Sequence, residues 1–167
     1  MSDARLEEPA RLAEIARLRL REETTAQILD RYAALAAAAL DMPLGLVSIV
    51  LGEAQWFGGA HGLEGWMAQT RGTPVEWSLC ADVVRSDDQL VVEDARASRY
   101  AENPLVTRDG LASYAGAPLR TRSGRVVGSL CGIAPDPRAV AQAAMQELQR
   151  LADALMAELQ DPQRLIG

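Results

Sequence analysis

The side chains in this chain that could do covalent or acid–base chemistry are few: two cysteines, Cys80 and Cys131, and a single histidine, His61. Cys80 lies in the stretch Ser78-Leu79-Cys80-Ala81. Ser78 is a good helix N-cap there, and a helix start presents free amides and the positive end of the helix dipole, which suits an anion. A thiol facing that end would ionise more readily. The blander reading is that Cys80 is a small buried hydrophobe, the usual state of a free cysteine, and Cys131 on a strand invites the same reading. His61 could relay a proton or ligate haem, but it has no Cys or acidic partner at ligand spacing, so a structural place at a strand end is expected. No Ser-His-Asp set, framed carboxylate pair, Cys/His metal spacing or phosphate-cradling glycine loop is present. The residues therefore point to binding and not to catalysis, with no metal.

Around Ser78, Leu79 and Cys80 the residues that would wall a ligand site are Trp56, Trp77 and Tyr114. Tyr100 and Asn103 fit a lid, although Asn103 before Pro104 equally suits a turn. Asp94, Arg96 and Arg99 could clamp a negative group through a guanidinium. Asp94 reads better as a turn residue capped on its own backbone. The run Tyr114 to Ala134, YAGAPLRTRSGRVVGSLCGIA, adds Gly116 and Cys131. Its two apolar segments are unusually rich in Gly, Ala, Ser and Cys, and such strands leave room for something to approach the backbone. Tyr114, Gly116 and Pro118 alternate with Ala115 and Ala117. On the neighbouring strand Val127, Ser129, Cys131 and Ile133 alternate with Gly128, Leu130 and Gly132. One set would accept helices and the other would floor a pocket; parity alone does not say which.

These residues need elements to hold them. The spacing of Leu6, Leu12 and Ile15 predicts a helix over 5–21, and a second runs from a Thr24 or Thr25 cap to Leu40, stopped by Asp41-Met42-Pro43. Leu44–Leu51 then reads as a strand covered on both faces, with a hairpin at 52–54 and its partner at Gln55–His61. Residues 62–78 read as a loop with at most one helical turn. A short helix follows at Leu79–Arg85, a strand at Leu90–Val92 and an irregular stretch at 94–109. Ser113–Arg120 and Val126–Ile133 form strands about a Ser123-Gly124 turn. A last helix spans about 138–160, its Ala and Leu residues close to a heptad seam. The fold expected is α+β, an antiparallel sheet of five or six strands with helices packed on one face.

With that order of elements, the stretches MPLGLVSIV, QWFGGAHGL, SLCADVV, VVEDARASRYAENPLV and YAGAPLRTRSGRVVGSLCGI resemble the GAF domain pattern of bacterial signalling proteins. The resemblance covers roughly residues 25–160. It implies a PAS-like sheet with a ligand pocket on one face and N- and C-terminal helices on the other, often at a dimer interface. It also implies a division into an N-terminal helix at 1–23, serving dimerisation, a GAF domain at 24–161 and a tail at 162–167. One enzymatic branch of that family, the free-methionine-sulfoxide reductases, relies on a cluster of pocket cysteines. Here only Cys80 and Cys131 are present and the surrounding motif is missing. The cyclic-nucleotide and bilin signatures of other branches cannot be placed either.

Composition bounds the rest. The 167 residues are 49% hydrophobic and carry a net charge of −6, with a pI near 4.8. That is enough apolar material for one core, and an acidic surface repels phosphate backbones, so no nucleic acid is expected. No apolar run nears the roughly 20 residues of a membrane span, and the N-terminus lacks a signal-peptide pattern. A cytoplasmic protein with free thiols is expected. All seventeen basic residues are arginines, which reads as codon bias. The chain runs seven residues past Gln160, so a standalone module is expected. It would bind a small molecule of unknown identity, with an anionic group given by the Ser78 helix start. Its output would be another protein, or a homodimer through helices 5–21 and 138–160. The rival readings are a thiol-based redox enzyme and a ligand-free scaffold.

Overall fold

The computed structural model describes residues 3–166, with side chains through Arg164. In chain order the elements are α1 (Pro9–Arg17), α2 (Glu23–Leu40), β1 (Leu44–Val50), β2 (Ala54–His61), α3 (Gly65–Thr70) and β3 (Gly72–Pro74). They continue with α4 (Leu79–Ser86), β4 (Leu90–Val92), α5 (Pro104–Thr107), β5 (Ser113–Arg120), β6 (Val126–Ala134), α6 (Gln142–Leu159) and α7 (Pro162–Ile166). The six strands form one antiparallel sheet in the order β3-β2-β1-β6-β5-β4. This is the α+β architecture expected.

The sheet separates two apolar clusters. On one face α2 and α6 pack over Val47, Ile49, Ala115, Ala117, Leu119 and Leu130. On the other, α4, α5 and the connecting loops pack over Leu46, Phe57, Tyr114 and Cys131. The small residues of the central strands are explained largely by the first face. A Cβ on Gly45 would lie 2.0 Å from the backbone oxygen of Ala33, and one on Gly59 would lie 2.3 Å from that of Leu29. Helix α2 therefore rests directly on the backbone of β1 and β2, as only glycine permits.

Four boundaries differ from expectation, each for a local reason. The first helix is not 5–21: Pro9 stands at its first turn, and Glu8 before it has extended ψ of 119°, as a residue ahead of proline should. It stops at Arg17 because Leu18 and Leu20 are both buried, at 2% and 6% exposure. Residues two apart point to opposite sides of a helix, so the chain turns instead, with Arg19 at φ 52°. Helix α2 begins at Glu23, with no side-chain cap. Thr25 is buried and accepts from Arg164 Nη1 at 2.7 Å. The loop at 62–78 contains α3 and the edge strand β3, which pairs with β2. The last helix starts at Gln142, because residues 138–140 form no helix and the amides of Arg138 and Val140 are bonded to Glu93 instead.

The terminal segments belong to the same core. Ile15, Leu18 and Leu20 join the helix-side cluster together with Met145, Leu148, Leu151, Leu155 and Leu159 of α6. The apolar faces offered for a homodimer are thus turned inward onto their own sheet. Arg11, 2% exposed, donates to the carbonyl oxygens of Leu6 and Val126. Arg125 pairs with Glu8 and Glu14. The stretch expected as a tail at 162–167 contains α7, and Arg164 donates to the carbonyls of Leu18 and Leu159; residue 167 lies outside the described residues, as do residues 1 and 2 of the N-terminal segment.

Candidate functional site

The face of the sheet away from α2 and α6 carries a cavity of about 190 Å³. Its floor is Leu46 of β1, Gln55 and Phe57 of β2, Tyr114 of β5 and Ile133 of β6. Leu79 and Cys80 at the start of α4 form one wall, Leu105 and Leu111 another, Leu63 and Met67 also line it, and the exposed Pro43 and Gly110 lie where it opens to solvent. Among the described residues the one charged side chain in the lining is Asp109, which also accepts from Trp66 Nε1 at 2.8 Å. Among the described residues no cluster of His, Cys, Asp and Glu could hold a metal ion.

Beneath the cavity is a buried polar knot. Gln55 Oε1 accepts from Ser48 Oγ at 2.9 Å and from Ser78 Oγ at 2.7 Å, while its Nε2 donates to Thr73 Oγ1 at 2.7 Å. Ser78 caps α4, its hydroxyl accepting the Ala81 amide at 3.0 Å. Gln55 thus ties β1, β3 and α4 together and satisfies its own amide, as burial requires. Nothing local in the sequence marks this role except the alternation that puts Gln55 on the same strand face as Phe57.

The cysteines meet at the same place. Cys80 Sγ lies 3.1 Å from the Tyr114 hydroxyl and 3.8 Å from Cys131 Sγ. The Tyr114 hydroxyl is also 3.1 Å from Ser129 Oγ. Burial pushes the Cys80 thiol up. Hydrogen bonds from Cys131, Tyr114, Ser48 and Ser129 outweigh it and bring the pKa from 9.0 down to about 7. Cys131 moves the other way: its hydrogen bond to Cys80, burial and the neighbouring negative charge all hold it well above the usual thiol range. Tyr114 is likewise raised, by burial first and then by the charge on Cys80. Gly116 makes this arrangement possible. A Cβ there would lie 2.3 Å from the Tyr114 hydroxyl and 2.7 Å from Ser129 Oγ.

The structure therefore brings together Leu79, Cys80 and Tyr114 on the cavity, with Ser78, Gly116 and Cys131 immediately behind them. It separates four others. Trp56 lies on the opposite face, packed in the helix-side cluster under the Arg21 guanidinium at 5.5 Å, and is no wall of this cavity. The cause is the period-two alternation that sends Gln55 and Phe57 inward, with Trp56 between them. Trp77 packs at the edge of the loop-side cluster, edge-on to Trp66 at 6.1 Å, with Arg108 against both rings. Tyr100 is held away by its hydroxyl, which donates to Asp82 at 2.6 Å; burial and that carboxylate push its pKa up to about 12. Asn103 is the turn residue, capping α5 through the Leu105 amide at 2.9 Å and donating to the Trp77 carbonyl at 3.2 Å. Asp94 accepts from the Arg96 amide at 3.2 Å, and His61 is exposed at the end of β2. The expected grouping of Val127 with Ser129 and Cys131 also fails. The pairing slips between Leu119 and Arg120, which turns Val127 to the helix side and Val126 to the other.

The fold and the sequence place this chain among known proteins. A cyclic di-GMP phosphodiesterase of Pseudomonas aeruginosa is 33% identical over 156 residues, 92% of this chain; the chain spans about a quarter of that relative's length, 26%. The GAF domain of an Acinetobacter phosphoenolpyruvate-protein phosphotransferase superposes with a TM-score of 0.67 at 17% identity, covering 95% of this chain and 94% of the other. The free methionine-R-sulfoxide reductase of Neisseria meningitidis superposes with a TM-score of 0.68 at 16% identity, covering 93% and 87%. At these identities the structural likeness speaks for the fold. The GAF domain pattern itself matches residues 24–159, which take in all six strands, the cavity lining and both helices of the opposite face. This chain belongs to the GAF domain family.

Proposed function

We propose that this chain is a regulatory GAF module that binds a small, uncharged and largely apolar molecule in the cavity over Tyr114 and Cys80. It would serve in cytoplasmic signal transduction, as a binder and not as a catalyst. The observation that carries this reading is the cavity itself: about 190 Å³ of space lined by Leu46, Phe57, Met67, Leu79, Leu105 and Leu111. Drug-sized ligands occupy pockets of roughly 300–1,000 Å³, so the occupant is smaller. An anionic ligand, the expectation raised by the Ser78 helix start, gains no support from these walls. They offer no guanidinium and place the Asp109 carboxylate at the rim. A cyclic dinucleotide, with charged phosphates, suits them no better. The signalling role draws support from the phosphodiesterase relative and from GAF modules of signalling proteins with this fold.

Signal output would pass to a partner protein or to a second copy of the chain. Sedimentation at tens of micromolar distinguishes these, since a dimer that matters holds at that concentration. The occupant is tested by native mass spectrometry of gently purified protein. The expected result is a retained small mass, lost on denaturation and lost in Leu111→Trp, whose indole fills the cavity. Wild-type protein that carries no mass and binds nothing in a metabolite screen would leave a scaffold kept for its helices. Turnover of free methionine sulfoxide, abolished in Cys80→Ser, would instead make the chain a redox enzyme.

A further inference from the structure

The two cysteines of this chain are separated by 51 positions in sequence, yet their sulfur atoms lie 3.8 Å apart. Both are buried, Cys80 at 3% exposure and Cys131 at 0%. Only Cys80 lines the cavity, and Cys131 stands behind it on β6. The reading as small core hydrophobes would fit two thiols facing apolar neighbours. It does not account for a thiol placed between a tyrosine hydroxyl and a second thiol, in the wall of an open cavity. The order of the two matters: an oxidant entering from the mouth meets Cys80 first, with Cys131 directly behind as a resolving thiol.

We propose that Cys80 and Cys131 form an oxidisable dithiol, which a small hydroperoxide entering the cavity converts to an intrachain disulfide. The Cys80 thiolate attacks the terminal peroxide oxygen. The O–O bond breaks, and the departing oxygen takes a proton and leaves as alcohol, or as water from hydrogen peroxide. Cys80 is then a sulfenic acid. The Cys131 sulfur attacks the Cys80 sulfur; the S–S bond forms, the S–O bond breaks, and hydroxide leaves as water with the Cys131 proton. The sulfur pair loses two electrons and the peroxide gains them. Cys80's depressed pKa supplies the thiolate near neutral pH, and the Tyr114 hydroxyl 3.1 Å away is placed to hold it. A disulfide requires sulfurs at about 2.05 Å, so the step draws the start of α4 toward β6. It reshapes the cavity wall that both Leu79 and Cys80 supply. The reaction needs no bound ligand and stands whether or not the cavity has another occupant.

The test uses the full chain, reduced and desalted, treated with hydrogen peroxide or tert-butyl hydroperoxide and digested without reductant for peptide mapping. The expected product is a Cys80–Cys131 linked peptide in monomeric, folded protein. Cys131→Ala should stop at a sulfenic acid on Cys80, trapped by a dimedone-type reagent, and Cys80→Ala should leave Cys131 unreacted. Met67→Trp, which narrows the cavity and leaves both thiols in place, should slow the reaction several-fold, more for the bulkier peroxide. The proposal is overturned if the folded protein resists both peroxides while the urea-unfolded chain reacts, or if the only disulfide joins two chains. It is also overturned if both alanine variants, folded by circular dichroism, oxidise as fast as wild type. A retained metabolite in native mass spectra would bear on the ligand reading and not on this one.

Discussion

The Tyr114 hydroxyl stands 3.1 Å from Cys80 Sγ and 3.1 Å from Ser129 Oγ, joining the start of α4 to strand β6 through one fully buried phenol. Tyr114→Phe removes that oxygen and leaves two buried groups short of a partner. The expected cost is about 1–2 kcal/mol of stability, read from the denaturant midpoint. The Cys80 thiol should titrate higher in the variant, since the phenol's hydrogen bond lowers its pKa; ultraviolet thiolate absorbance against pH reads this. An unchanged midpoint and titration would mean that the hydroxyl does not face Cys80.

Glycine substitutions separate the two faces of the sheet. Gly45→Ala forces a methyl to 2.0 Å from the Ala33 backbone oxygen, and Gly116→Ala forces one to 2.3 Å from the Tyr114 hydroxyl. The first meets helix backbone, which cannot yield without moving α2. The second meets the end of a side chain. Overpacking costs about 1–3 kcal/mol and more where nothing gives. Gly45→Ala should be the worse of the two in a thermal melt, and Gly116→Ala alone should disturb the Cys80 titration.

The dithiol sets a pH dependence of stability in reduced protein. Cys80 has a folded pKa of about 7 against 9.0 for an ordinary thiol. A depressed acid favours the folded state once it ionises there. Stability should therefore climb from about pH 7 to pH 9 and be lost again as pH falls through 7. Cys131 and Tyr114 are both raised, so above their ordinary values the unfolded chain ionises first and stability should decline. Cys131→Ala removes the largest hydrogen bond that lowers Cys80 and should flatten the climb. A wild-type profile that is level between pH 7 and 9 would contradict the assignment of the first ionisation to Cys80.

Arg11 tests whether the N-terminal segment is part of the domain. Its guanidinium is buried, pairs with no carboxylate among the described residues and joins the carbonyls of Leu6 and Val126; burial lowers its pKa. Arg11→Ala should cost about 2 kcal/mol through the carbonyls left unpaired. Limited proteolysis should then cut first ahead of Glu23. Wild-type stability in this variant would return residues 3–22 to the status of a separable appendage.

The order and type of the main elements were legible because their signals are local. Apolar runs of seven to nine residues broken by Gly52-Glu53 and Ser123-Gly124 can only be paired strands, and Ser78 caps a helix through an amide three residues away. The grouping of Leu79, Cys80 and Tyr114 was also within reach, since the motifs that carry them follow the family's order.

What stayed hidden depended on pairing across long stretches of chain. Two slips in strand register, at Val47/Ser48 and Leu119/Arg120, turn every side chain beyond them to the other face. The second slip is what parts Val127 from Ser129 and Cys131, and no residue type announces it; Trp56 faces the helices by plain alternation, but which parity of β2 meets the cavity is set only by its pairing with β1. Likewise Cys80 and Cys131 each read as an isolated thiol, because nothing between them in sequence records that α4 folds back over β6. The residues set which groups the chain has to work with, two thiols and several hydroxyls among them. Only the tertiary structure decided which of them touch, because that contact is fixed by sheet register and helix docking, neither of which has a local signature.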